Sequence, residues 1–336
     1  MKIGSIDIRD RVVIVAEVGN NHEGRMDVAE RLVHEAAAVG ADAVKFQTFR
    51  TEHYVSRADA ARFGRLKSFE LSPGDFARLA QLAHELDLLF ISTPFDLQSV
   101  DLLAPLVDAY KIASGDNTFY PLLSKVAHTG KPVIISSGLT LIGEIRRTVE
   151  FVRACWQDRG ISGDLSILHC VTSYPVRAVD ANLRAIGHLA SALQERIGYS
   201  DHTIGNDAAV LAVAVGARIV EKHFTLDKQF STFRDHQLSA DPADFVALVK
   251  RIRQAEELLG KAEKIVTPGE EEIAPQVRRS IVSGGTFSSG HRLSLADLTW
   301  TRPAGGLPPG QEDRLVGHRL RKDVVFGELV KVEDVE

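Results

Sequence analysis

The sequence predicts a TIM (β/α)8 barrel followed by a small, mostly-β domain, and three observations predict it. Short β-branched runs alternate eight times with longer helical stretches over the first 260 residues. Such alternation means βαβ units with right-handed crossovers and a parallel sheet. The runs are continuously apolar, as in IVAEV and PVIIS, which is how strands buried on both faces read. Eight units in about 250 residues is also the count and size of this barrel. A doubly wound open sheet is the alternative, but it would ordinarily carry GxGxxG after its first strand, where this chain has GNNHEG.

Taken in order, the strand candidates are Val12–Val18, Ala43–Thr48, Leu88–Ser92, Ala109–Ala113, Pro132–Ser136, Leu165–Cys170, Arg196–Tyr199 and Arg218–Phe224. The helical candidates are Met26–Val39, Pro73–Leu86, Leu97–Pro105, Tyr120–Thr129, Leu141–Trp156, Leu183–Glu195, Asn206–Gly216 and Pro242–Leu259. Ser72 and Pro73 supply an N-cap and a first helical residue, and SADPADF does the same for the last helix. Gly260 is a natural stop after it. Residues 1–260 are thus read as the barrel, the charged residues 261–279 as a linker, and residues 280–336 as a separate small domain of short strands and Gly/Pro turns. That tail has little core of its own and is expected to pack on the barrel or on a neighbouring subunit.

Composition narrows the function. The net charge of −5 over 336 residues leaves no electrostatic footprint for nucleic acid and no polybasic membrane segment. Two cysteines, Cys155 and Cys170, make neither a disulfide framework nor a CxxC zinc site and fit a reducing, cytoplasmic setting. The opening MKIGSIDIRD is charged too early for a secretory signal, and no apolar run approaches the 18 or so residues that span a bilayer.

Barrel active sites sit at the C-terminal rim of the strands. Here nearly every strand ends in reactive residues: Glu17 with Asn21 and His22, Lys45 with Gln47, Ser92 with Thr93, and Lys111 with Ser114 and Asp116. The later strands end in Ser136 and Ser137, His169 and Cys170, Ser200 to His202, and Glu221 to His223. Eight such ends converging predict a site. Lys45 and Lys111, with Ser114, Ser136 and Ser200, suit a phosphate or carboxylate. Either lysine also has the chemistry for a Schiff base, as in an aldolase. His202 and His223 end adjacent strands and are within reach of one metal ion, with Glu17 in support. His169 reads as a packed histidine beneath the site and Cys170 as buried filler. The glycine-rich GGTFSSG at 284–290 opens no helix, so it is not read as a phosphate cradle.

These motifs resemble the sialic acid synthase (N-acetylneuraminate synthase) family across nearly the whole chain. The matching segments are AEVGNNHEG (16–24), GADAVKFQTF (40–49), STPFD (92–96), YKIASGD (110–116), KPVIISSGL (131–139), LHCVTSYP (168–175), GYSDHTIG (198–205) and GARIVEKHFTLD (216–227). In the tail, RRSIV, TRP and LVGHRLRKDVVFGE look like that family's antifreeze-like (SAF) domain. The resemblance implies condensation of phosphoenolpyruvate with an N-acetylated aldose to a nine-carbon 2-keto-3-deoxy sugar acid plus phosphate, with a divalent metal, typically Mn2+. It implies His202 and His223 as metal ligands. Lys45, Lys111, Ser114, Ser136, Thr172 and Ser200 would hold phosphoenolpyruvate. Glu17, Gln47, Asp116, Tyr174 and Asp235 would line the sugar side. Glu17, Lys45, Lys111 and Asp116 are the expected catalytic groups. Arg302 of the tail would reach the active site of a partner subunit in a domain-swapped homodimer.

Several residues depart from the family pattern. Asp116 stands for the usual Glu, Thr172 for Asn, Phe233-Arg234-Asp235-His236 for Gly-Pro-Asp-His, and Arg302-Pro303-Ala304 for RPG. The changes gather on the sugar side. They leave N-acetylmannosamine and a diacetamido-trideoxy sugar of the legionaminate or pseudaminate kind both open as acceptor. A Schiff-base pyruvate lyase and a sugar- or ice-binding protein on an inactive barrel are the rival readings.

Overall fold

Eight apolar runs become eight parallel strands, and each finds its hydrogen-bonding partner in the next until the last returns to the first. The computed structural model describes residues Met1–Glu336 and divides into two compact units, Met1–Gly260 and Lys261–Glu336. In the first unit the strands are β1 (Val13–Gly19), β2 (Ala43–Thr48), β3 (Leu89–Pro94), β4 (Ala109–Ile112), β5 (Val133–Ser136), β6 (Leu165–Cys170), β7 (Arg196–Asp201) and β8 (Ile219–His223). Closure is made by β8 on β1, in register from Ile219 opposite Val13 to His223 opposite Glu17. The predicted barrel is therefore the observed one, with strand ends shifted by a residue or two.

Eight helices follow the strands as expected: α1 (Met26–Ala38), α4 (Pro73–Glu85), α5 (Leu97–Leu103), α6 (Tyr120–Ala127), α7 (Ile142–Arg159), α8 (Ala185–Leu193), α9 (Asp207–Ala214) and α11 (Pro242–Leu259). Ser72 and Asp75 form a full capping box at the start of α4, with Pro73 in the first turn. Asp241 caps α11 by accepting from the Asp244 amide. Three short helices escaped the sequence reading: α2 (Thr51–Tyr54), α3 (Ala60–Phe69) and α10 (Arg234–Leu238). Only Leu66 of α3 is buried, so this helix carries almost no apolar periodicity to detect.

Strand pleating sorts the side chains into two cores. Outward residues such as Ile14, Ala16, Val44, Phe46 and Phe90 pack with the helices. Inward residues Val13, Val15, Ala43, Leu89, Ile91, Ala109, Ile134, Leu168 and Ile219 form a separate cluster inside the barrel. Ile3 of a short N-terminal hairpin (Lys2–Ile3 with Ile6–Asp7) and Ile8 just after it complete that inner cluster. The hairpin is absent from the sequence reading because two-residue strands leave no pattern. Buried Asp42 ties the closure together: it accepts the Ile14 amide at 2.8 Å and the Arg253 guanidinium of α11 at 2.6 Å.

In the second unit, residues 268–277 of the stretch expected as linker form α12, opened by a Thr267–Glu270 capping box. β9 (Ser280–Ser283) and β10 (Leu298–Thr301) pair antiparallel. Ile281, Leu293, Leu298, Leu315, Leu320, Val324, Val330 and Val335 give this unit a small core of its own.

Gly198 shows how tightly the inner layer is filled. A Cβ there would lie 2.4 Å from Leu168 Cδ2 and 2.5 Å from the Ile219 carbonyl oxygen. Gly198→Ala is expected to destabilise the barrel by about 3 kcal/mol, a drop of about 5–10 °C in Tm by circular dichroism. An unchanged Tm would mean that the layer can relax around a methyl group.

Candidate active site

The inward positions that are apolar near the strand starts become polar near their ends. Glu17, Lys45, Thr93, Lys111, Ser136, Cys170, Ser200, Glu221 and His223 all line one cavity of about 520 Å³ at the C-terminal mouth. The pleat also decides what is excluded, which corrects the expectation that whole strand ends converge. Ser92 turns outward to bond Thr48 at 2.7 Å, and Ser137 donates to the Leu168 carbonyl at 2.9 Å. Asp201 and Lys222 pair with each other at 2.7 Å, and Asn21 holds the Phe224 carbonyl at 2.8 Å. His22 is buried beside Phe46. His169 sits 2.8 Å from the Ala181 carbonyl, a packed histidine.

Four buried ionisable groups occupy the centre. Lys45 Nζ lies 2.6 Å from Glu17 and 3.6 Å from Glu221, and Lys111 Nζ lies 3.7 Å from Glu221. Lys111 donates to Ser136 Oγ at 2.6 Å, and Ser200 Oγ donates to Glu221 at 2.9 Å. Glu221, which the sequence reading placed at a strand end but gave no role, is the hub between the two lysines. Burial pushes its carboxyl up, but Lys111, Lys45 and Ser200 outweigh that and hold it well below the usual range. Burial also opposes the Lys45 charge, yet the carboxylates of Glu17 and Glu221 keep Lys45 raised. Glu17 is raised by burial and by the Glu221 charge. Lys111 is lowered by burial, with Lys45 adding repulsion. The opposing shifts favour charge on Glu221 and Lys45 and disfavour it on Glu17 and Lys111.

His202 and His223 stand beside this array with ring centroids 5.4 Å apart. His202 Nδ1 is 3.0 Å from the Val171 carbonyl, which fixes that nitrogen as the donor and leaves Nε2 free to bind. His223 is held toward its neutral form by burial, and its Nδ1 has no hydrogen-bond partner. Two imidazoles, each with a ring nitrogen left free, fit a divalent ion whose remaining positions are filled by water or substrate. No third histidine, cysteine or carboxylate joins them in a ready-made cluster. Cys170, read as filler, faces the cavity with its Sγ 3.9 Å from His202 Nδ1.

The other expected positions gather on the same cavity. Gln47 donates to Glu17 at 3.1 Å and accepts from Asn20 at 3.0 Å. Ser114 accepts from the Gly138 amide at 3.1 Å. Gly138 escaped the sequence reading: a Cβ there would come within 2.4 Å of Thr172 Oγ1 and 2.5 Å of Ser114 Oγ, so only glycine lets these hydroxyls share one corner. Tyr174 packs on His202 with centroids 4.2 Å apart, and Asp235 lines the wall next to it. Asp116 also lines the cavity. Arg302 belongs to the second unit. Tyr54, Arg62 and Arg65, from α2 and α3, are lining residues that no strand-end argument could find.

Taken as chemistry, lysines and hydroxyls here suit the anionic ends of a small substrate, and the imidazoles suit a metal. Comparison with known proteins places the chain in a family. Residues 32–264 match the NeuB family. The N,N'-diacetyllegionaminic acid synthase of Legionella pneumophila is 38% identical, over 96% of this chain and 94% of that protein. The N-acetylneuraminate-9-phosphate synthase of Mus musculus is 31% identical, over 96% of this chain and 92% of that protein. The crystal structure of the N-acetylneuraminic acid (sialic acid) synthetase of Leptospira borgpetersenii, in complex with citrate, superposes with a TM-score of 0.76 at 34% identity, covering 81% of this chain and 94% of that one.

Burial raises the Asp116 carboxyl from 3.8 to about 6. The folded chain therefore binds more protons than the unfolded chain between those values, and stability falls as pH rises through that window. Asp116→Asn should leave Tm nearly unchanged near pH 4 and raise it relative to the parent by about pH 7. A Tm difference that is the same at every pH would show that this carboxyl titrates normally.

Proposed function

The chain belongs to the NeuB family of sialic acid and related nonulosonic acid synthases, and from that premise we propose that it condenses phosphoenolpyruvate with an N-acetylated aldose to give a nine-carbon 2-keto-3-deoxy sugar acid and inorganic phosphate. The observation that carries this reading is the buried Lys45–Glu221–Lys111 array with Ser136 and Ser200, set beside the two imidazoles of His202 and His223 in one cavity. N-acetylmannosamine and diacetamido-trideoxy sugars are the candidate acceptors.

In this reading C3 of phosphoenolpyruvate forms a bond to the aldehyde carbon of the acceptor. The aldehyde π electrons move to its oxygen, which takes a proton. Water adds to the cationic C2 and loses a proton, giving a tetrahedral intermediate. Its bond to the phosphate oxygen then breaks, leaving a ketone and inorganic phosphate. A divalent ion such as Mn2+, held by His202 and His223, would supply Lewis acidity toward the acceptor aldehyde. Lys45, Lys111 and the hydroxyls of Ser114, Ser136, Thr172 and Ser200 hold the phosphate and carboxylate. An arriving anion favours the charged form of Lys111, so binding itself completes the cationic clamp. Glu17, pushed toward its acid form, is placed to give a proton to the developing alkoxide, with Gln47 fixing its orientation. Asp116, Tyr174 and Asp235 position the sugar. Because the lysines act as cations, no covalent adduct forms, and most of the rate enhancement comes from positioning and preorganised charge.

The reading extends to a domain-swapped homodimer in which the second unit, as an antifreeze-like domain, brings Arg302 to the sugar bound in its partner. His202→Ala and His223→Ala should each lose bound manganese, read by elemental analysis of the dialysed protein, and lose phosphate release from phosphoenolpyruvate. Full activity in either variant would remove the metal assignment. Arg302→Ala should lower kcat/KM for the acceptor by about 10–100-fold with Tm unchanged, the loss expected for one charge-assisted hydrogen bond. Mixing Arg302→Ala with His202→Ala protein should restore activity through exchanged subunits, and failure of that complementation would count against the swap.

A further inference from the structure

Two buried charges that the reaction chemistry above does not use lie behind the imidazole pair. Asp201 ends β7 and Lys222 lies in β8, and they are only 1% and 2% exposed. They face each other in register and pair at 2.7 Å. The same face of these strands carries Ile197, Tyr199 and Val220, which pack into the outer core. An ion pair in such a layer is weak evidence for stability, because well-packed apolar residues of similar volume often match it. Its contribution lies in what the two side chains hold. Asp201 Oδ1 accepts the Thr203 amide at 2.9 Å and the Thr203 hydroxyl at 2.8 Å. Lys222 Nζ donates to the Thr203 carbonyl at 2.5 Å. The Tyr199 hydroxyl donates to Asp201 Oδ1 at 3.2 Å. Oδ1 thus takes three donors, and Oδ2 takes the ammonium.

His202 sits between Asp201 and Thr203, and His223 follows Lys222. Alternation along the chain turns both imidazoles toward the cavity, on the face opposite the ion pair. The two rings are not fixed equally. His223 belongs to β8 and stands in register opposite Glu17 of β1. His202 lies just beyond the end of β7, and the β7–β8 backbone ladder stops at Asp201 opposite Lys222. The Lys222–Thr203 bond carries the tie one residue past His202. On its other side His202 is bound to the loop after β6, through Nδ1 to the Val171 carbonyl at 3.0 Å and through its own carbonyl to the Val176 amide at 2.9 Å. The 5.4 Å between ring centroids therefore depends on how residues 201–203 are fastened to β8.

We propose that Asp201 and Lys222 are positioning residues for the imidazole pair: by holding Thr203 between them, they keep His202 at its observed spacing from His223 and so set the affinity for a divalent ion. The inference rests on the metal-binding reading above. Neither residue touches the ion or a substrate, since both side chains point away from the cavity into the layer between strands and helices. Groups one step removed from the ligands that fix ring orientation are worth about 10–100-fold in metal affinity.

The test measures Mn2+ binding to the full chain by electron paramagnetic resonance of the free ion. Asp201→Leu/Lys222→Met removes both charges together, leaves no unpaired buried charge and should fold with Tm within a few degrees of the parent. Its dissociation constant for Mn2+ should rise about 10–100-fold. Asp201→Asn/Lys222→Met keeps an acceptor for Thr203 and should lose less. Parental affinity in the first variant overturns the proposal, and if that variant does not fold, parental affinity in the second does so. A second readout needs no metal. Nitrogen–proton correlation spectra of the histidine rings, with His202 assigned by its loss in His202→Ala, should show one tautomer of uncharged His202 in the parent, protonated on Nδ1, and a mixture in the first variant. If the parent takes up no Mn2+, the metal-binding reading falls, and the tautomer result alone decides the positioning role. An unchanged tautomer then removes that role as well.

Discussion

Everything at the mouth of this barrel depends on keeping four ionisable groups buried together. An isolated charge moved out of water costs several kcal/mol, and removing one partner of a buried pair typically costs about 3–5 kcal/mol. Glu17, Lys45, Lys111 and Glu221 avoid that cost by mutual neutralisation, with Glu221 reaching both lysines. The arrangement is a buried array in which each charge has its counter-charge within reach. It also explains why Ser136 and Ser200 bond inward to Lys111 and Glu221 rather than to backbone.

The barrel makes this array possible through register. Parallel pairing places Glu17 opposite both Lys45 and His223, so one charge layer is set by hydrogen bonds far from the chemistry. Below it the inner cluster of Val15, Ile91, Ile134, Leu168 and Ile219 forms a dry floor. Gly198 and Gly138 mark close packing inside the barrel, one in the floor and one at the rim. A low-dielectric floor strengthens each electrostatic interaction above it.

The two sides of the cavity differ in origin. The side that holds Glu17, Lys45, Lys111, Ser136, Ser200 and Glu221 is built from strand residues, whose positions the sheet dictates. The opposite wall is built from connecting segments: Tyr54, Arg62 and Arg65 in the β2–α4 excursion, and Phe233, Arg234 and Asp235 after β8. Segments of this kind change without disturbing the sheet. Relatives of this chain carry names with different sugar products.

The sequence by itself determined the barrel, the order of its strands and most of the residues that meet at its mouth. The physical reason is that a parallel barrel writes its strands as apolar runs and puts strand ends on one rim, so Glu17, Lys45, Lys111, Ser136, Ser200 and His223 were legible one strand at a time. Tertiary structure alone decided which alternate side chains face inward, separating Thr93 from Ser92 and Glu221 from Lys222, because the pleat leaves no mark in a run that is buried on both faces. It alone made Glu221 the hub, since the contacts that define its role come from strands 110 and 176 residues earlier in the chain. It alone brought α3 beside Arg234, through packing of Phe69 on Phe233 that neither segment encodes locally.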